Sequence, residues 1–160
     1  MASSFLHGMG VAMADREHVD AILTDYARLL GMRELAFDED GQCQLRFGDE
    51  VHVALGLADN DGRLVLAAPL GEVPGAIKEE IQAEMLDANY LWQGTGGPTL
   101  SIERQTGVAA ACMALPTAGL TAERLEADID QLIAVAEDWI GRLRGGKAGQ
   151  PVAHDNMIRM

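Results

Sequence analysis

Three short runs of alternating apolar residues between Leu35 and Leu70 constrain the fold of this chain most strongly. Alternation with a period of two places the apolar side chains of each run on one face of a β-strand. Gly48-Asp49 and Asn60-Asp61-Gly62 separate the runs, and these residue types tolerate the left-handed backbone of tight turns. The pattern predicts a three-stranded antiparallel meander whose apolar residues are Cys43, Leu45, Phe47, Val51, Val53, Leu55, Leu57, Leu64, Leu66, Ala68 and Leu70.

A meander of this size cannot bury its apolar face alone, so other segments must cover it. Apolar residues recur at helical spacing in residues 15–30, about 76–91, and the segment after Thr121. Asp15 and Thr121 are suitable N-caps, and Gly31 is suitable to end the first helix.

Two further strands are predicted, at residues 99–103 and 108–115. The second carries small apolar residues on both faces, which is typical of a central strand. The element order is therefore α-β-β-β-α-β-β-α. This order predicts an α+β two-layer domain, with a mostly antiparallel five-stranded sheet and three helices.

A length of 160 residues is typical of one domain. We expect a flexible lead-in at residues 1–14, a single domain at 15–144 and a disordered tail at 145–160. The start has no basic region before an apolar core, so no secretory signal is predicted, and no segment reaches membrane-spanning length. Two cysteines, both inside predicted strands, fit a reducing cytoplasm.

The formal net charge of −13 argues against binding to nucleic acid or to an anionic membrane surface, because both require a Lys/Arg footprint. It favours solubility and basic or partly disordered protein partners. An acidic surface without any partner role remains an equal alternative.

No motif in the sequence indicates catalysis, a cofactor or a metal ion. Gly8-Met9-Gly10 lacks the preceding strand and third glycine of a dinucleotide site, and Gly94 to Gly97 leads into a strand without the Lys-Ser/Thr of a phosphate loop. Asp38 to Asp40 is better explained as an acidic β-turn than as a calcium loop, because the twelve-residue ligand spacing is absent. The histidines are scattered and form no HExxH spacing.

The element order, the acidic composition and several short matches resemble the class I type III secretion chaperones of the CesT/Tir chaperone family. Within that family the chain is most similar to the general chaperones of the HpaB type. The matching segments are Leu29-Leu30-Gly31, Leu35-Ala36-Phe37-Asp38, Gly41-Gln42-Cys43-Gln44-Leu45, Leu64-Val65-Leu66, Leu70-Gly71, Met85-Leu86-Asp87-Ala88-Asn89 and Ala136-Glu137-Asp138-Trp139.

The resemblance implies a cytoplasmic, non-enzymatic homodimer that binds the N-terminal region of secreted effector proteins and keeps them soluble and competent for secretion. Family dimers pair mainly through the second helix and the neighbouring strand, which here implies an interface of Ile81, Met85, Ala88, Leu91, Trp92, Leu100 and Ile102. The same residues could instead form the core of one chain.

The implied binding mode is an extended effector segment that adds to strand edges and places apolar side chains in surface grooves. The candidate effector-binding residues are Leu35, Phe37, Leu45 and Phe47, for which ordinary sheet core is an equal alternative. A contact with the secretion ATPase stays open. The alternative function is a regulatory interaction module on the same fold, as in YbjN. A third alternative is an enzyme that acts on a small molecule.

Overall fold

The computed structural model describes residues 13–58 and 62–145. The predicted lead-in and tail therefore fall almost entirely outside the described residues. The regular elements are α1 (Met13–Leu29), β1 (Gln42–Phe47), β2 (Val51–Ala58), β3 (Arg63–Glu72), α2 (Lys78–Asn89), β4 (Thr99–Ile102), β5 (Val108–Pro116) and α3 (Ala122–Gly145), with single 3-10 turns at Gly75–Ile77 and Tyr90–Trp92 on either side of α2.

The five strands form one antiparallel sheet in the order β1-β2-β3-β5-β4. This arrangement confirms the predicted fold class, including the meander and the internal position of β5. The sheet bends where β3 departs from regular register between Pro69 and Gly71. Gly71 has a φ of 114°, a conformation that glycine adopts without steric cost.

One face of the sheet carries the larger apolar side chains. Leu55 lies opposite Leu66, and Leu66 lies opposite Met113, so the three side chains share this inner face. The other face carries small residues, since the neighbouring row is Ala54, Ala67 and Cys112. All three helices contribute buried side chains to the single hydrophobic cluster on the inner face.

The long helix α3 is the centre of the helical layer. It packs against β2, β3 and β5, and α1 packs against α3. Leu132 and Trp139 of α3 are fully buried together with Leu23 of α1. Truncating one such leucine to alanine typically costs about 2–5 kcal/mol of stability.

The structure confirms two of the three helix ends that were predicted from the sequence. Thr121 caps α3 as predicted, since its Oγ1 accepts a hydrogen bond from the Arg124 N–H at 3.2 Å. Gly31 ends α1 with a φ of 68°, and the Met32 N–H bonds the Ala27 carbonyl at 2.9 Å in a Schellman arrangement. The predicted N-cap at Asp15 is wrong because α1 already begins at Met13. Met and Ala are strong helix formers, and here they extend the first turn.

Candidate binding surfaces

β1 is an edge strand whose outer side is only partly used. At its start, the Asp38 N–H donates to the Gln42 carbonyl at 2.7 Å, and the Gln42 N–H donates to Asp38 Oδ1 at 2.9 Å. Outward and inward backbone groups alternate along an antiparallel strand. The N–H and C=O groups of Gln44 and Arg46 therefore also point outward, and no backbone hydrogen bond from the described part of the chain reaches them.

The opposite edge of the sheet is closed by a side chain. Asn89, the last residue of α2, donates from Nδ2 to the Leu100 carbonyl of β4 at 2.9 Å. The Leu100 N–H donates to Asn89 Oδ1 at 2.8 Å. The Asn89 amide thus occupies both outward groups of Leu100 as a neighbouring strand would. Of the two edge strands, β1 has the more open backbone.

A small apolar cluster lies at the C-terminal end of α1. Leu29, Leu30 and Met32 are all exposed, and Met32 retains 45% of its accessible surface. The Schellman turn at Gly31 holds these side chains at the surface. From Met32 the chain runs through Leu35 and Phe37 to Asp38, which is bonded to Gln42 at the start of β1. We call Leu29, Leu30 and Met32 the α1-end cluster.

The predicted effector-binding residues are less exposed than the α1-end cluster. Leu35, Phe37 and Leu45 are buried in the hydrophobic cluster, and Phe47 is partly buried against it. The guanidinium of Arg16 lies 5.7 Å from the centroid of the Phe37 ring. Three of the four residues therefore lie in the core of the chain, and the exposed apolar surface that precedes Leu35 in the sequence is that of the α1-end cluster.

A second apolar surface follows the end of α2. Leu86, Tyr90, Leu91 and Trp92 are exposed, with 71% for Leu86 and 55% for Trp92. Leu91 and Trp92 have φ values of 51° and 53°. Large residues rarely adopt this left-handed backbone, and each typically costs about 1–3 kcal/mol. Two of the four exposed residues therefore have a strained backbone, and we call the group Leu86, Tyr90, Leu91 and Trp92 the α2-end patch.

The structure separates the residues predicted for the dimer interface into two groups. Leu91 and Trp92 belong to the α2-end patch, whereas Ile81, Met85 and Leu100 are buried in the core of the single chain. Ala88 and Ile102 are partly buried against that core. Leu86 and Tyr90 are more exposed than Leu91 and Trp92, but the sequence did not predict them as part of the interface.

The α2-end patch continues onto the outer face of the sheet. Trp92 Nε1 donates a hydrogen bond to Thr99 Oγ1 at 3.3 Å, and Thr99 lies opposite Cys112 in the register of β4 and β5. Along β5, Ala114 is exposed on the same face as Cys112. The α2-end patch and the outer face of β5 therefore form one continuous surface.

Three of the backbone N–H groups in the loop at Gly94 to Gly97 already have hydrogen-bond partners. The Gly94 N–H bonds the Ala88 carbonyl at 3.0 Å, and the N–H groups of Thr95 and Gly96 both bond the Trp92 carbonyl. A Cβ at Gly94 would lie 2.7 Å from the Ala88 backbone, so this glycine permits a close approach to α2. The loop is thus bonded to the end of α2.

The titratable side chains of Asp38, Cys43 and Tyr26 take part in the fold. Asp38 Oδ1 accepts the Asp40 and Gln42 N–H groups, which confirms an acidic turn. Burial raises the pKa of the Cys43 thiol to about 11, with a smaller contribution from Asp38. Burial, with Asp130 and Glu126, raises the pKa of Tyr26 to about 12. Within residues 13–58 and 62–145, no group of three His, Cys, Asp or Glu side chains could hold a metal ion.

None of the helices in the described ranges is long and apolar enough to cross a membrane.

Residues 21–140 match the model of the Tir chaperone protein (CesT) family. The chain belongs to this family. The match covers most of the chain, from within α1 to near the end of α3, and therefore contains both the open edge of β1 and the α2-end patch.

A curated relative is similar to this chain in sequence, and two solved structures are similar to it in fold. The chain is 28% identical over 121 residues to the "Transcriptional anti-antiactivator ExsC" of Pseudomonas aeruginosa, covering 76% of this chain and 82% of the relative. Its fold is similar to a chain in the "HopA1-SchA Chaperone-Effector Complex", with a TM-score of 0.68, 23% identity and coverage of 82% and 98%. YbjN from E. coli has the same fold, with a TM-score of 0.59, 17% identity and coverage of 80% and 93%.

Proposed function

We propose that this protein is a type III secretion chaperone that binds the N-terminal region of effector proteins as a homodimer. The observation that carries the proposal is the open edge of β1 beside the α1-end cluster, in a chain of the Tir chaperone family. The role requires binding and no catalysis. The acidic composition would keep the loaded complex soluble.

Binding begins at the backbone of β1. An extended effector segment pairs with the N–H and C=O groups of Gln44 and Arg46 and becomes a sixth strand. These hydrogen bonds supply affinity without requiring a particular effector sequence. Such a mode suits a general chaperone of the HpaB type, which accepts several effectors.

Apolar side chains of the effector make the second contribution to the binding affinity. They pack on Leu29, Leu30 and Met32, which are exposed and precede the buried Leu35 and Phe37 in the chain. Ordering a disordered segment typically costs about 2–5 kcal/mol, and an extended surface is needed to offset that cost. The edge and the α1-end cluster are joined by residues 32–38, so a single effector segment can use both.

The homodimer is proposed to form through the α2-end patch. Leu86, Tyr90, Leu91 and Trp92 would pack against the same patch and the adjoining outer face of β5 on a second copy. Ile81, Met85 and Leu100 would support the interface from below as core residues. The two proposed surfaces are separate, so dimerisation leaves the edge of β1 free. A contact between the loaded dimer and the secretion ATPase is part of this proposal.

Coexpression tests the proposed function. The chain is produced with the N-terminal region of each type III effector encoded in its source genome, and purified complexes are measured by light scattering. We expect a dimer that retains at least one effector region, and loss of the effector but not of the dimer in Leu30→Glu. Glu17→Gln, an exposed change elsewhere on α1, serves as the control. Recovery of only effector-free chain would overturn the proposal, and retention of a single effector would exclude the general type.

A regulatory function is the second candidate, because ExsC is a transcriptional anti-antiactivator by name. A chaperone that releases its effector during secretion could then bind a regulatory protein with the same surface. A transcriptional reporter for secretion genes distinguishes the two functions. Unchanged transcription after deletion of the gene, together with loss of effector secretion, would exclude the regulatory role.

A further inference from the structure

The segment that displays the α2-end patch is bonded to the loop that follows it. The Trp92 carbonyl accepts hydrogen bonds from the Thr95 N–H at 3.2 Å and from the Gly96 N–H at 2.8 Å. The Gly94 N–H donates to the Ala88 carbonyl of α2 at 3.0 Å. The segment and the loop therefore form one hydrogen-bonded unit, so a shift of the loop would also move the backbone of Trp92.

Two features of this unit oppose the conformation that it adopts. Leu91 and Trp92 have φ values of 51° and 53°, a left-handed backbone that is unfavourable for residues other than glycine. Thr95 is 1% exposed, and its hydroxyl oxygen has no hydrogen-bond partner in the described part of the chain. Burying a hydroxyl without a partner is also unfavourable. Contacts from the rest of the fold must therefore hold the unit in place.

One such contact comes from α3. Gln131 Nε2 donates a hydrogen bond to the Thr95 carbonyl at 2.7 Å. The same amide lies against Gly96, since a Cβ at Gly96 would come within 2.8 Å of Gln131 Nε2. Gln131 is partly buried, and Ile129 and Leu132 beside it on α3 are fully buried. The Gln131 amide thus reaches the loop from a helix that is anchored in the core.

Two other contacts attach the unit to β4. The Asn89 amide bonds both backbone groups of Leu100. Trp92 Nε1 donates to Thr99 Oγ1 at 3.3 Å, at an exposed position. Neither contact bonds the backbone of the loop, whereas the Gln131 amide does. The Gln131 bond therefore acts on the part of the unit that carries the two bonds to the Trp92 carbonyl.

We propose that Gln131 is a positioning residue for the α2-end patch. Its hydrogen bond to the Thr95 carbonyl holds the loop, and the loop in turn holds the left-handed backbone of Leu91 and Trp92. Without this bond, the two residues relax towards an ordinary backbone and their side chains leave the positions that form the patch. The consequence for dimerisation rests on the proposed function, but the positioning is a property of the single chain.

Nuclear magnetic resonance of the full chain tests the positioning. Gln131→Met removes the hydrogen-bond donor and keeps a side chain of similar length. The carbon chemical shifts of Leu91 and Trp92 report their backbone angles. Hydrogen exchange at the amides of Thr95 and Gly96 reports the two bonds to the Trp92 carbonyl.

Two matched variants and a second measurement complete the experiment. Thr95→Val replaces the unpartnered hydroxyl with a methyl group and keeps the carbonyl that Gln131 binds. Glu137→Gln changes an exposed residue on the same helix as Gln131. The dissociation constant of the dimer is measured for each variant by sedimentation.

In Gln131→Met, the shifts of Leu91 and Trp92 should move away from left-handed values. Exchange at Thr95 and Gly96 should become faster by about tenfold or more, while amides of β3 keep the rates of the parent chain. The dissociation constant of the dimer should rise by about tenfold or more. Thr95→Val and Glu137→Gln should behave as the parent chain in all three measurements.

Three results would each overturn the positioning role: unchanged shifts and exchange in Gln131→Met, the same changes in Thr95→Val, or an equal rise of exchange throughout β3, which would indicate a loss of global stability. Failure of the proposed dimer gives a different result. A parent chain that is monomeric at every concentration, or an unchanged dissociation constant when the shifts of Leu91 and Trp92 have moved, would contradict the dimer interface while the shifts and exchange still support the role of Gln131.

Discussion

Asn89 and Leu100 are joined by two hydrogen bonds, from Asn89 Nδ2 to the Leu100 carbonyl and from the Leu100 N–H to Asn89 Oδ1. One side chain thereby closes the β4 edge of the sheet and attaches α2 to it. The structure consequently has one edge blocked at Leu100 and one more open edge, and under the proposed function this asymmetry would direct strand addition to β1.

Asn89→Ala is expected to destabilise the chain by about 1–3 kcal/mol, because it leaves both backbone groups of Leu100 without partners. Urea denaturation followed by circular dichroism measures the change. Gln82→Ala, an exposed substitution on the same helix, should have little effect and serves as the control. Equal stability of the two variants would contradict the role assigned to the Asn89 amide.

Gln44→Pro should weaken effector binding while leaving the β1–β2 hairpin intact. The Gln44 N–H points away from β2, so proline removes a donor for the added strand without removing a ladder hydrogen bond. We expect a loss of at least about tenfold in affinity, or about 1.4 kcal/mol, by calorimetry with an effector region. Gln44→Ala keeps the donor and should bind normally. If both variants bind equally well, the effector does not pair with β1.

Leu86→Glu should convert the proposed homodimer to a monomer, since it places a charge within the α2-end patch. Leu86 is exposed in the single chain, so the fold should survive the change. Sedimentation or light scattering at several concentrations measures the oligomeric state. Glu80→Gln, also exposed on α2, should remain dimeric. A dimer that persists in Leu86→Glu would move the interface elsewhere.

Arg142 links α3 to α2 and is nearly enclosed. Its Nε bonds Asp138 Oδ2 at 2.9 Å, its Nη1 lies 3.6 Å from Glu84 Oε2, and its guanidinium stacks over Trp139. Removing one partner of a buried pair leaves an uncompensated charge, and partial exposure moderates the cost, so Arg142→Met should cost about 2 kcal/mol. Thermal denaturation measures this cost.

The double variant Arg142→Met, Glu84→Met is expected to recover much of the lost stability. Arg144→Met supplies the control, because the Arg144–Glu50 pair is exposed and such pairs contribute less than about 1 kcal/mol. A single variant as stable as the parent chain would show that the network does not hold α2 in place.

The raised pKa of the buried Cys43 thiol predicts that the folded chain loses stability at alkaline pH. Burial raises its thiol pKa from the ordinary value of 9.0 to about 11, so the folded chain binds more protons than the unfolded chain between these values. Stability supplied by this thiol is complete below about pH 9 and is lost as the pH rises towards 11. The melting temperature of the parent chain should therefore fall more steeply over this interval than that of Cys43→Ala. Parallel curves would contradict the assigned pKa.

Much of the fold could be predicted because its signals are local. Alternation between Leu35 and Leu70 identified three strands, and Gly31 and Thr121 identified two helix ends. The small residues of β5 correctly indicated a central strand. The N-cap predicted at Asp15 was wrong, because a suitable N-cap residue does not prevent strong helix formers that precede it from joining the helix.

The binding surfaces were harder to predict because exposure depends on tertiary packing. The apolar stripe that contains Ile81 and Met85 predicted which face of α2 is apolar, but it could not show that the sheet of the same chain buries that face. Leu91 and Trp92 lie on the surface through a left-handed backbone that large residues seldom adopt, and no sequence signal announces it. Leu86 and Tyr90 are candidates for the proposed interface only because the structure shows that they are exposed.

The most direct measurement of the central claim is hydrogen exchange at the backbone amides of Gln44 and Arg46, with and without a bound effector region. If the effector adds a strand to β1, both amides exchange slowly in the complex and faster in the free chain, while those of Cys43 and Leu45 are protected in both states. Unchanged exchange at Gln44 and Arg46 in a fully formed complex would contradict strand addition at this edge.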